Sequence, residues 1–152
     1  MRIMRGPIGV VISTVGLLAA TTSALLLSTP GTAYAANYDF TWPDETGCSN
    51  TAVTIYTASI ATGKVELRYS TACRTVWSRI TVFPNALIED PEGGAHRNSD
   101  GFDTSGIVKL TFEADGSVVA FTKQLNDAGV TSYAWGQWTT IDGFHKIRTA
   151  SY

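Results

Sequence analysis

The fold is decided by the stretch GKVELRYSTACRTVWSRITV, residues 63–82. Apolar residues occupy alternate positions in both of its halves, at Val65, Leu67, Tyr69, Val76, Ile80 and Val82. A period of two is typical of strands that have one apolar face and one polar face. Residues 70–74 lie between the two runs and interrupt the alternation. The stretch therefore predicts two antiparallel strands joined by a short turn.

Further strands are predicted on both sides of this pair. An Asp-Gly pair at residues 115–116 lies between two apolar runs, which is a strong short-range signal for a hairpin. The other predicted strands are at residues 52–60, 107–113, 117–123, 131–139 and 144–150. About seven short strands, with no helix of useful length after residue 35, predict an all-β fold. We expect a single small antiparallel β-sandwich or barrel-like domain.

Residues 84–106 have a different composition from the predicted strands. They contain Pro84, Pro91, a Gly93-Gly94 pair and a further Asp-Gly pair, with few apolar residues after Ile88. Proline and glycine in this density are typical of turns. The segment therefore predicts a long loop, and loops of this length are uncommon unless they are functional or mobile.

The N-terminus has the pattern of an export signal. Arg2 and Arg5 give it a positive charge, and residues 8–27 are mostly apolar. Pro30-Gly31 then breaks any helix, and Ala33-Tyr34-Ala35 is the small-x-small sequence of a signal peptidase site. Residues 1–35 are therefore predicted to be a signal peptide for Sec-type export. The alternative is an uncleaved membrane anchor, because the apolar run is about as long as a bilayer requires.

Cleavage would leave residues 36–152 as one secreted β domain, located outside the cell or in the cell envelope and without a stable membrane anchor. Its formal charge is −4 rather than −2, because Arg2 and Arg5 are the only charged residues removed. A mildly acidic domain argues against a nucleic-acid partner, which requires a basic surface. In an oxidising compartment, Cys48 and Cys73 are expected to form a disulfide; the alternative is a free catalytic thiol.

The sequence has no strong catalytic signature. It contains no G-x-S-x-G nucleophile motif, no phosphate-binding loop and no zinc-ligand spacing, so no metal and no cofactor is predicted. The weak candidates are His96, Asp100 and Asp103, because a histidine beside carboxylates is the minimum requirement for acid–base chemistry. A solvated polar loop explains the same residues. Whether the protein is an enzyme stays open, with a non-enzyme favoured.

The aromatic residues offer a second kind of site. If Val76 and its neighbours face inward, Trp77 points outward together with Arg79, and Glu66 and Arg68 lie on the same face. These four residues are the candidate binding surface. The alternative interpretation is a set of cross-strand pairs with arginine stacked on the indole ring.

Several motifs resemble those of a known family. Gly47-Cys48, residues 63–70 with the sequence GKVELRYS, Cys73-Arg74 and residues 77–80 with the sequence WSRI are similar to the YjfA-like family of uncharacterised secreted bacterial proteins, DUF2690. Residues 132–136 and 147–152 also look like members of this family. The resemblance implies export, a Cys48–Cys73 pair and a compact domain, and it implies no activity.

Together these patterns predict a secreted, disulfide-bonded, non-catalytic domain. Its expected partner is an extracellular protein or a cell-wall or polysaccharide ligand. Two alternatives stay open. One is a small extracellular hydrolase that uses His96 with Asp100 or Asp103. The other is a protein like a protease inhibitor, which would present the 84–106 loop.

Overall fold

The computed structural model describes residues 37–84, 87–106 and 108–152. The predicted signal peptide and its cleavage site lie outside the described residues. The described chain begins with turns and one 3-10 turn (Cys48–Thr51), and nine strands follow. They are β1 (Ala52–Ile60), β2 (Gly63–Ser70), β3 (Thr75–Val82), β4 (Leu87–Arg97), β5 (Val108–Phe112), β6 (Val118–Thr122), β7 (Leu125–Asn126), β8 (Ser132–Thr140) and β9 (Gly143–Arg148). No helix of the described residues is long and apolar enough to cross a membrane.

The strands form two antiparallel sheets that pack face to face. The first sheet has the order β1-β2-β3-β6-β5, with the short β7 also paired to β3, and the second has the order β4-β8-β9. The buried core draws on both sheets: Val65, Leu67, Val76, Ile80, Val82, Ala95, Ala120, Leu125, Ala134 and Trp138. The predicted all-β antiparallel fold is confirmed, with β4 and β7 as strands beyond the predicted seven.

Small residues on the inner face of β8 allow the two sheets to approach. Every second residue of β8 is buried, from Ser132 to Thr140. Gly136 is one of these, and a Cβ atom there would lie 2.7 Å from Val65 Cγ2 and 2.8 Å from Ile80 Cγ1. Such distances are shorter than a van der Waals contact, so the sheet spacing at this point requires glycine.

The prediction of a long loop at residues 84–106 is wrong from Leu87 to Arg97, where the chain forms β4 at one edge of the second sheet. Pro91 lies in the irregular register between Glu89 and Glu92, where a missing N–H is tolerated. A Cβ atom on Gly93 would overlap the Ile80 side chain. The residues that are typical of turns therefore serve a bulge and a close sheet contact here.

The N-terminal segment, residues 37–51, is fixed to the first sheet. A disulfide joins Cys48 to Cys73 with a Cα–Cα distance of 5.6 Å, which confirms the predicted bridge. Gln124 makes backbone hydrogen bonds with both Phe40 and Thr41, and its side-chain amide donates to Thr41 Oγ1. The segment is therefore bound covalently at one end and by hydrogen bonds along its length.

Candidate functional site

The outer face of the second sheet carries a groove of about 450 Å³, which we call the β8–β9 groove. It is lined by Asp103, Tyr133, Trp135, Lys146, Ile147 and Arg148. The alternation of β8 sends Tyr133 and Trp135 to this side while Ala134 and Trp138 enter the core. The groove therefore follows directly from the period of two in a strand whose other face is buried.

The indole ring of Trp135 is held against the sheet. Its cross-strand partner is Gly94, and a Cβ atom at Gly94 would lie 2.7 Å from the indole Nε1. The indole N–H donates to both carboxylate oxygens of Asp103, with N–O distances of 3.2 and 3.0 Å. Because Gly94 leaves room and Asp103 fixes the N–H, the ring has one preferred position.

Two cations stand over the rings of the groove. Lys146 Nζ lies 4.6 Å from the centroid of the Trp135 ring, and Arg148 Cζ lies 5.0 Å from that of Tyr133. Both cationic side chains are exposed. Among the residues that the structure describes, neither cation belongs to an ion pair. With two cations and the one carboxylate of Asp103, the groove lining thus has a net positive charge beside aromatic rings, on a domain whose overall charge is negative.

The weak candidate His96 lies beside this groove. Its Nδ1 is 3.3 Å from Asp103 Oδ2, and its ring stacks on Tyr133 with a centroid distance of 4.8 Å. Asp103 also accepts the backbone N–H of Ser105 at 2.9 Å. The structure therefore joins His96 and Asp103, which the sequence places seven residues apart, in one half-buried cluster.

Asp100, the other carboxylate considered for His96, is bound elsewhere. Arg97 Nη2 donates to it at 2.6 Å, and Arg97 Nη1 donates to Asp39 at 2.8 Å. The hydrogen bonds that Arg97 donates to Asp100, and those to Asp39, outweigh burial and raise the pKa of the Arg97 guanidinium, which is only 8% exposed. Its hydrogen bonds lower the pKa of Asp100 in turn. Asp100 therefore helps to anchor the N-terminal segment through Arg97 and does not join His96.

The candidate binding surface predicted from the sequence is assembled by the register of β2 and β3. Glu66 pairs with Arg79 and Arg68 pairs with Trp77, so the four residues form two adjacent cross-strand pairs. However, Trp77 is only 4% exposed and Glu66 only 5%. Trp77 points away from the core, as the alternation predicts, but solvent hardly reaches it because the N-terminal segment lies on this face, where its residue Pro43 lines the same pocket as the indole ring.

Glu66 is buried among side chains of its own and the two neighbouring strands. Burial acts to raise the pKa of its carboxyl, but the hydrogen bond and charge of Arg79, with help from Lys64, outweigh it and hold the pKa below its usual value. Arg79 donates from Nε to Glu66 Oε2 at 2.7 Å, and Thr54 donates to Oε1 at 3.1 Å. The Glu66 carboxylate therefore stabilises the sheet through these contacts.

The sequence also contains a signal for the β8–β9 groove. The alternation in residues 131–139 already separates Tyr133 and Trp135 from Ala134 and Trp138. In the next predicted strand, Lys146 and Arg148 are two positions apart and therefore lie on one face. Only the pairing of β8 with β9 brings these two sets together. No group of three or more histidine, cysteine, aspartate or glutamate side chains in the described part of the chain could hold a metal ion.

Comparison with known proteins gives one result. The chain matches the sequence model of a family described as "Protein of unknown function (DUF2690)" over residues 36–135 of its 152. Searches among curated proteins and among solved structures found no match. The matched range contains Asp103, Tyr133 and Trp135 but ends before the cations of β9. Because this match spans more than half of the sequence, the chain belongs to the DUF2690 family of proteins of unknown function.

Proposed function

We propose that the protein is a non-catalytic binding protein, exported to the cell exterior or envelope, whose β8–β9 groove binds acidic polysaccharide. The observation that carries this proposal is the combination of two positioned aromatic rings with two cations that have no carboxylate partner among the described residues. The rings can contact the apolar C–H face of an acidic sugar, and the cations can bind its carboxylate.

The rings supply the apolar contact. Tyr133 and Trp135 are two positions apart on one strand, which places them about 7 Å apart along it. Large rigid rings give contact area at a low cost in conformational entropy, and Trp and Tyr are enriched at binding hot spots. Since Gly94 and Asp103 already hold Trp135 in place, little ordering is required when a ligand binds.

The polar groups supply orientation and selectivity. Arg148 and Lys146 can each donate to a sugar carboxylate, and guanidinium–carboxylate contacts are often bidentate. Asp103 is an acceptor in the same groove, and sugar hydroxyls are donors. An acidic saccharide therefore matches the groove better than a neutral one, and its affinity should fall as salt screens the cations.

The test is calorimetric titration of the purified protein with oligomers of galacturonic acid, and with neutral galactose oligomers of equal length as the control ligand. We expect binding of the acidic oligomer that weakens with added salt, and at least tenfold weaker binding of the neutral one. Trp135→Ala and Arg148→Gln should each lower the affinity by about tenfold or more, or about 1.4 kcal/mol. Lys64→Gln, on the outer face of the first sheet, removes the same charge and should leave the affinity unchanged.

Three results would overturn the proposal. Equal affinity for both oligomers would remove the role of the cations, and equal losses in Lys64→Gln and Arg148→Gln would show a non-specific charge effect. The groove would instead be a site for a protein partner if the immobilised domain retained a secreted protein and no saccharide, and if Trp135→Ala abolished that retention.

A second candidate function is favoured by the contact between His96 and Asp103. A carboxylate at Nδ1 orients a histidine for general-base chemistry at Nε2, which is the arrangement that a small hydrolase requires. If acidic oligomers are cleaved, His96→Ala should reduce the rate at least a hundredfold while binding persists. Full activity of His96→Ala would end this assignment. The protease-inhibitor alternative has less support, because residues 87–97 of the predicted exposed loop form β4.

A further inference from the structure

A second pocket lies on the opposite side of the sandwich, between the first sheet and the N-terminal segment. We call it the Arg68 pocket; its volume is about 240 Å³. It is lined by Pro43, Asp44, Ser49, Ala52, Arg68, Trp77, Arg79 and Phe121. This volume is below the range of pockets that hold drug-sized ligands, so the pocket suits a small molecule.

Three of the lining groups are charged, and two of them are already neutralised. Arg79 donates to Glu66 at 2.7 Å, and Asp44 accepts from Lys109 Nζ at 2.9 Å. Arg68 differs from both. Its Nη1 donates to the Thr54 hydroxyl at 2.6 Å and its Nη2 donates to a backbone carbonyl at 3.2 Å, so both of these acceptors are neutral.

Arg68 therefore carries a charge that no carboxylate of the described residues neutralises within 4 Å. Its half-buried position makes this unfavourable, because burial, and then the neighbouring charge of Arg79, lower the pKa of the guanidinium, and the charge of Glu66 offsets this only in part. The group stays protonated at neutral pH all the same. A guanidinium has five N–H donors, and only two of its nitrogens are in use, so it can still bind an anion.

Apart from Ser49, the remaining wall of the pocket is apolar. Trp77 is directly opposite Arg68 in the sheet, and Phe121 is directly opposite Arg79. Pro43 and the indole ring are buried, and they form the apolar side next to the two guanidinium groups. A ligand there would meet the apolar side chains of Pro43, Trp77 and Phe121 on one side and the Arg68 guanidinium on the other.

We propose that the Arg68 pocket binds a small organic anion that joins a flat apolar group to a carboxylate, an aromatic carboxylate being the simplest example. The carboxylate binds Arg68 and the flat group packs against Trp77 and Phe121. Arginine forms planar, bidentate contacts with carboxylates, and the aromatic side chains provide the apolar surface that the ring of the ligand requires. This site is independent of the β8–β9 groove, and it stands even if that groove binds no saccharide.

The test is a titration of the unmodified protein with benzoate, followed by two-dimensional ¹H–¹⁵N NMR of the indole N–H groups and the arginine Nε–H groups. Benzamide has the same shape without the charge, and inorganic phosphate has charge without the ring. We expect saturable shifts of the Trp77 and Arg68 signals with benzoate, at a Kd below about 1 mM, and at least tenfold weaker binding of the other two probes. The Trp135 signal should not move.

Variants separate this site from the groove. Arg68→Gln should weaken benzoate binding at least tenfold, whereas Arg148→Gln, which removes a cation from the groove, should leave it unchanged. The dispersion of the four indole signals reports whether each variant is folded. The proposal is overturned if the Trp77 signal stays fixed up to about 10 mM benzoate, if benzamide or phosphate binds as tightly, or if the shifts occur at Trp135.

Discussion

The outer faces of the two sheets have the same alternating sequence pattern, but they differ in how far solvent reaches them. On the first sheet, Trp77 points away from the core, but the N-terminal segment lies on that side and leaves the indole 4% exposed. On the second sheet, Trp135 also points away from the core and lines an open groove. Alternation within a strand therefore tells which way a side chain points, while a distant segment decides whether solvent reaches it.

The charged side chains of the two outer faces differ in the same way. On the covered face, Glu66 is bound by Arg79 and Lys64, and the distances are 2.7 and 3.5 Å. On the open face, Lys146 and Arg148 stand over rings without a carboxylate partner among the described residues. A nearly buried charge such as that of Glu66 requires compensation, whereas water solvates an exposed one. We therefore expect the first face to govern stability and the second to govern saccharide binding.

The largest expected difference between the faces comes from their tryptophans. Trp77→Ala should lower the free energy of unfolding by about 3–5 kcal/mol, because it leaves a cavity under the N-terminal segment. Trp135→Ala should cost about 1–2 kcal/mol, because its ring is only half-buried and loses mainly its packing on Gly94 and one hydrogen bond. Urea unfolding of both variants measures the two values. Equal losses would mean that the faces are covered to the same extent.

The next effect concerns the disulfide that ties the N-terminal segment to the first sheet. The double variant Cys48→Ser, Cys73→Ser should be less stable by about 3.5 kcal/mol on the chain-entropy estimate for the closed loop. The indole N–H signal of Trp77 in ¹H–¹⁵N NMR should shift toward that of a solvated indole, while binding in the β8–β9 groove persists in the folded fraction. A loss below about 1 kcal/mol would show that hydrogen bonds alone hold the segment in place.

A smaller effect is expected from the covered carboxylate. Because the folded pKa of Glu66 lies below the ordinary value of 4.5, its ionised form stabilises the fold above that pH, and the contribution is lost as pH falls through the folded pKa. Glu66→Gln should therefore cost about 2 kcal/mol at pH 7 and progressively less in acid.

The matched control for Glu66 is Glu92, which is exposed on the outer face of the second sheet and accepts from Gln137 at 2.8 Å. Glu92→Gln should change stability by less than about 0.5 kcal/mol at either pH. Urea unfolding at pH 7 and pH 3 measures both variants. Parallel pH curves for Glu66→Gln and the unmodified protein would contradict the assignment of this linkage to Glu66.

Particular residues show why sequence reasoning succeeded for the fold and failed for the long loop. Val65, Leu67 and Ile80 indicate their strands correctly, because a strand with one buried face needs an apolar residue at every second position. This pattern can be recognised within a single strand. Pro91 and Gly93 are misleading because a bulge and a close sheet contact require the same residue types as a turn. The difference depends on what lies across the sheet, which no local window contains.

The site shows the same limit. The candidates His96 and Asp103 do meet, at 3.3 Å, whereas Asp100 is held by Arg97 together with Asp39. Choosing between these two carboxylates requires knowing where the N-terminal segment lies. The strongest predicted aromatic, Trp77, is buried for the same reason, and the groove around Trp135 exists only because β9 pairs with β8.

The sequence by itself determined the all-β class, seven of the nine strands, the Cys48–Cys73 bridge and the family. Each of these follows from local periodicity, from the only available pairing of two cysteines, or from motif identity. The tertiary structure alone decided that β4 is a strand, which outer face is covered and which side chains form each pocket. Those outcomes depend on contacts between segments far apart in the chain, where the free energy of burial and of charge compensation outweighs local preference.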